Sequence, residues 1–142
     1  MWLWRKIKNT KGTAAIEFAL IVPMLFLVLS GIFNFGLILI KKNQLNSVIN
    51  AGVLYSIRTP SNTSNIQNKM TSATSISPLT SSVTSYCACS GTVASCSSVC
   101  GDGSAPSSFV TMTASSTVAL YALDFVLTNP FPISTTATIR VG

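Results

Sequence analysis

The sequence predicts an α+β chain: a long amino-terminal helix, transmembrane and then amphipathic, followed by a small antiparallel β head with a Ser/Thr-rich, disulfide-stapled loop region. Three observations predict it. No charged residue occurs from Phe18 to Ile40, a run of roughly 34 Å as a helix against a hydrocarbon core of ~30 Å. Beyond Lys42, Leu45, Val48, Ile49 and Gly52 keep one face while Asn43, Asn46, Ser47 and Asn50 share the other, the spacing of an amphipathic helix. The end of the chain, Ile133 to Val141, alternates strictly between larger apolar groups and Ser134, Thr136, Thr138 and Arg140, as a half-buried strand does.

Charge supports the membrane reading and excludes another. The chain has 142 residues and a net charge of +6, yet only 8% of it is charged, well below the roughly 25% of soluble domains. Arg5, Lys6, Lys8 and Lys11 precede the apolar run and Lys41 and Lys42 close it, leaving Arg58, Lys69 and Arg140 scattered. Cations that flank a span leave no basic cluster to track phosphates, so nucleic acid is not an expected partner and membrane lipid is. The excess before the span predicts a cytoplasmic amino end and an external head. A secretory signal core would run about 7–15 residues to a small-x-small site. This run is longer and leaves through Ile38-Leu39-Ile40-Lys41-Lys42, so it is expected to remain as an anchor.

In order, residues 1–12 form a basic leader whose Trp2 and Trp4 suit the membrane interface. Residues 13–40 form the transmembrane helix. Pro23 has no N–H for the carbonyl of Ala19 and is expected to kink it. Pro23, Ser30 and Asn34 fall on one face with Gly31 nearby, a face suited to packing on another helix because lipid is a poor neighbour for an amide. Residues 41–58 extend the helix until Thr59-Pro60 ends it. From 59 to 108 nearly half the residues are Ser or Thr, which predicts mostly loop. Val83 to Cys89 has strand character, and Ser90-Gly91 reads as a turn. Residues 109–142 supply β-strands, from Phe109 to Thr113 and in Val118 to Leu127, with a break at Asn129-Pro130 and Pro132. The sheet's apolar face is expected to cover the Leu45/Val48/Ile49 stripe.

Catalytic constellations are missing from the sequence. There is no histidine, and outside the anchor the only carboxylates are Asp102 and Asp124. Triads and paired-carboxylate sites are therefore excluded, and neither an enzyme nor a cofactor is expected. Cys87, Cys89, Cys96 and Cys100 follow Cys-x-Cys-x6-Cys-x3-Cys. External thiols without Cys-x-x-Cys pairs favour disulfides over a metal site. A nested pairing, Cys89 with Cys96 and Cys87 with Cys100, fits a hairpin, but three connectivities remain open.

Glu17 stands five residues after Gly12, at the head of the apolar run, and Phe18 follows it. A carboxylate in the first turns of a helix has a plain electrostatic use. A basic leader, a glycine and a glutamate five residues later are also the shared opening of type IV prepilins. The run Gly12-Thr-Ala-Ala-Ile-Glu17-Phe18-Ala-Leu-Ile-Val-Pro23 resembles the TadE-like family, pseudopilins of the tight-adherence (Flp) pilus system. Gln44 to Gly52 and Thr136 to Val141 resemble the family's post-membrane helix and closing strand more loosely, and the Ser/Thr-rich middle hardly at all.

The resemblance implies a minor pilin or pseudopilin cut between Gly12 and Thr13 by a prepilin peptidase. Its other implied partners are pilin subunits and the inner-membrane assembly platform. The expected location is the bacterial inner membrane, single-pass, with a periplasmic or extracellular head and incorporation into the pilus as a further step. Cleavage would leave an ammonium on Thr13, and Glu17 of a neighbouring subunit could pair with it. Both charges are costly unpaired in low dielectric, so their meeting selects a register. Two other readings stay open. One is another pilin-like subunit, a major pilin or a secretion pseudopilin. The other is a signal-anchored surface protein with a glycosylated Ser/Thr stalk, for which Asn62-Thr63-Ser64 is a formal sequon.

Overall fold

A single helix, α1 (Thr10–Ser56), carries both the arm and the base of the head. The structure, a computed structural model, describes residues 10–121 and 128–141. Most of the leader, with Trp2 and Trp4, and the 122–127 part of the apolar Val118 to Leu127 run lie outside the described residues. After α1 come α2 (Thr63–Ser72), β1 (Leu79–Cys89), β2 (Thr92–Ala94), β3 (Ser107–Val118) and β4 (Phe131–Arg140). The strands form one antiparallel sheet in the order β2-β1-β3-β4.

The sheet lies on the upper part of α1, as the stripe requires. Leu45, Val48 and Ile49 are buried with Val110, Met112, Ala114, Val118 and Ile133 from the strands. Burying an aliphatic side chain of this size contributes about 1.5–3 kcal/mol, so this stripe is a main source of the head's stability. Gly52 continues it for a steric reason. A Cβ there would stand 2.8 Å from Met112 Sδ and 2.8 Å from Met70 Cγ, so glycine lets the two methionines close over the helix.

The region 59–108 is more ordered than its composition predicts. α2 begins at Asn62, whose side-chain oxygen accepts from Asn65 N–H at 3.0 Å, an N-cap that satisfies one of the helix's free donors. Ile66 and Met70, four residues apart, then bury against α1 and the sheet. β1 runs eleven residues and pairs with β3 over Leu79 to Ala88. Ser and Thr suffice because half of each strand faces outward. Thr111 and Thr138 join hydroxyls across that face at 2.8 Å, and Thr113 and Thr136 at 3.1 Å, while Tyr86 stacks on Phe109. Cross-strand pairs of this kind stabilise a sheet without burial.

Ser90-Gly91 is the expected turn. Both residues have positive φ, 48° and 86°, as the tight two-residue hairpin loop demands. Pro132 does not end the order but lies inside β4. β4 is an edge strand, where a missing N–H is tolerated. Ile133 to Val141 alternates in burial as its sequence alternates in polarity.

Candidate functional site

The lower part of α1 is an arm with nothing packed on it among the described residues. Ala14 to Leu29 is exposed throughout, and Phe18, Leu20 and Met24 are each 70% exposed or more. Water would not leave such a surface bare on a stable monomer. α1 is long and apolar enough to cross a membrane, and a helix is the form in which a single segment can do so with its backbone satisfied. Gly12 lies in the first turn with open space where a Cβ would be. Glu17 is exposed and has no hydrogen-bond or ion partner among the described residues. It lies about 7.5 Å along the axis from Gly12. Pro23 sits within the unbroken helix.

Asn34, Ser30 and Gly31 mark where the arm ends. Asn34 is buried, 2% exposed, although its neighbours Phe33 and Phe35 are open. Its amide nitrogen donates to Tyr121 O at 2.7 Å and to Ser30 O at 2.8 Å, and its oxygen accepts from Tyr121 N–H at 2.7 Å. Ser30 Oγ donates to the same Tyr121 carbonyl at 3.3 Å. Of the face expected to seek another helix, Ser30 and Asn34 therefore have a partner within their own chain, while Pro23 is exposed. Gly31 is half-buried, with nothing within 4 Å of the position of a Cβ.

Sequence reading missed Tyr121, because a backbone amide can be offered by any residue and leaves no signature. It also missed Asn129, read only as a break. Asn129 Nδ2 donates to Leu120 O and its Oδ1 accepts from Leu120 N–H, both at 3.2 Å.

The distal end of the head is stapled as expected but in a different pattern. Cys87 pairs with Cys96 and Cys89 with Cys100, with Cα separations of 5.1 and 5.5 Å. The bridges interleave, whereas the hairpin suggested nesting. Register explains it: Cys87 stands opposite Ala94 and Cys89 opposite Thr92. The chain leaving Ala94 thus brings Cys96 past Cys87, and Cys100 comes later to Cys89. Beyond the second bridge, Ser104 donates to the Asp102 carboxylate through Oγ at 2.7 Å and N–H at 3.0 Å. These bonds, the hydroxyl's first, hold the Asp102 carboxyl below its usual range.

The TadE-like protein family matches residues 12–54. This segment is TadE-like. The match begins at Gly12 and ends inside α1, so it takes in the arm, the polar boundary at Asn34 and the helical stripe beneath the sheet. No curated protein and no solved structure matches the chain. The TadE-like segment points to a pilin-like protein associated with tight-adherence pili, structural in kind, held in a membrane by its apolar helix and working among other pilus components.

Proposed function

We propose that the protein is a minor pilin or pseudopilin of a tight-adherence (Flp, type IVc) pilus, cleaved after Gly12 by a prepilin peptidase. The observation that carries this reading is the bare arm. It is an apolar helix with one carboxylate, Glu17, five residues beyond Gly12, in a segment that matches the TadE-like family. Cleavage makes the Thr13 nitrogen a charged terminus at the inner edge of the membrane. Glu17 of a neighbouring subunit then neutralises it when the arms bundle, which fixes the stagger between subunits. Before assembly the arm anchors the subunit in the inner membrane with the head outside, where its disulfides persist. The assembly platform and other pilins receive it from there.

Amino-terminal sequencing of the mature protein tests the reading. A start at Thr13 is the expected result, and a start at Met1 overturns processing and favours a plain anchor. Glu17→Ala is expected to be processed yet fail to enter the pilus, and normal assembly of that variant would count against the pairing.

A further inference from the structure

The turn that leaves β3 has an unusual backbone. Leu120 has both its N–H and its C=O bonded to the side-chain amide of Asn129. Tyr121, the next residue, has both bonded to the side-chain amide of Asn34. Two consecutive residues of an irregular segment thus have their backbone groups satisfied by protein. Surface loops ordinarily leave such groups to water, whereas hydrocarbon tolerates irregular backbone only where protein satisfies it.

The depth of this turn along α1 agrees. Asn34 lies seventeen residues beyond Glu17, about 26 Å of helix against a hydrocarbon core of ~30 Å. With Glu17 at the inner boundary, Tyr121 is carried to the outer leaflet, and Lys41 stands about 10 Å further out, among the headgroups. At that level Phe33 is 59% and Tyr121 62% exposed, and their rings meet at 6.4 Å. An open groove of about 820 Å³ continues the apolar surface past Leu37 and Ile40 to Lys41. Tyrosine, with an apolar body and one wet tip, suits this depth.

We propose that the Leu120–Tyr121 turn is a membrane foot: the head dips it into the outer leaflet, with Tyr121 and Phe33 facing phospholipid and Asn34 shielded beneath. The occupant of the surface is the bilayer that also covers the arm, since Phe33 and Phe35 continue the arm's exposed apolar surface. The proposal rests on the membrane anchorage of α1 and is independent of processing after Gly12.

Tryptophan quenching tests it in the full chain. Trp2 and Trp4 are replaced by Phe, and Tyr121→Trp, Phe33→Trp or Tyr86→Trp is added singly. Each chain is reconstituted in phosphatidylcholine–phosphatidylglycerol vesicles with brominated acyl chains. The Tyr121→Trp chain is expected to lose most of its emission, as the Phe33→Trp chain does, while Tyr86→Trp on the outer sheet face keeps it. Adding Asn34→Ala is expected to restore emission to the Tyr121→Trp chain and leave the Phe33→Trp chain quenched. The proposal is overturned if Tyr121→Trp behaves like Tyr86→Trp, or if Phe33→Trp also escapes quenching. It is equally overturned if Tyr121→Trp becomes protected as protein density rises, which would make a second copy the occupant.

Discussion

The two parts of α1 are both apolar and helical, yet they solve different problems. From Ala14 to Leu29 the apolar side chains point in every direction and none is buried. From Leu45 to Ser56 they gather mainly on a stripe, with Leu54 left outside it, and Leu45 and Val48 are fully buried beneath the sheet. A helix apolar all round belongs in lipid or in the core of an assembly, while a striped one belongs against a folded partner. One continuous element thus crosses from one solvent to another, and the change falls near Ser30 and Asn34, where Tyr121 of the head meets the helix. Exposure of a leucine in this chain has no fixed meaning until its position along α1 is known.

Paired substitutions sharpen the contrast. Leu45→Ala removes a side chain from the centre of the head and is expected to cost about 2–5 kcal/mol. Leu25→Ala, 53% exposed in the wild type, is expected to leave the unfolding of the head unchanged. Denaturant titration of the two proteins in the same detergent, followed by head tyrosine fluorescence, measures the difference. A smaller contrast comes from glycine. Gly52→Ala must push aside Met112 and Met70 and is expected to cost about 1–3 kcal/mol, towards the lower end because methionine tips yield. Gly31→Ala meets nothing within 4 Å and is expected to have no such effect in the same titration. Equal losses within either pair would break the distinction between the two parts of the helix.

Much of this division was legible in the sequence. The uncharged run fixes the arm, and the i, i+3, i+4 stripe with the alternating Ile133 to Val141 fixes which faces of helix and sheet meet. Order in the Ser/Thr-rich middle was hidden, because composition counts apolar residues while a two-faced sheet needs them on one side only. Leu79 and Val83 on the inner side of β1, with Ile66 and Met70 on α2, are enough. The interleaved bridges were equally hidden, since they depend on the register of β1 with β2 and on the path beyond Ala94. At the candidate site, Glu17 and Gly12 are visible through their spacing. Asn34 stands out as an amide in an apolar run, but its partner is a backbone brought from 87 residues away, and no local pattern announces that.

The claim that one helix serves two solvents is tested most directly by thiol labelling at two leucines that are both exposed in the isolated chain. Leu54 is 68% and Leu25 53% exposed, and the four native cysteines are closed in disulfides and do not compete. Leu54→Cys and Leu25→Cys chains in sealed vesicles or intact membranes are treated with a charged, membrane-impermeant maleimide. The expected result is rapid labelling of Leu54→Cys and labelling of Leu25→Cys only after denaturation. Comparable labelling of both in the intact membrane would contradict the account.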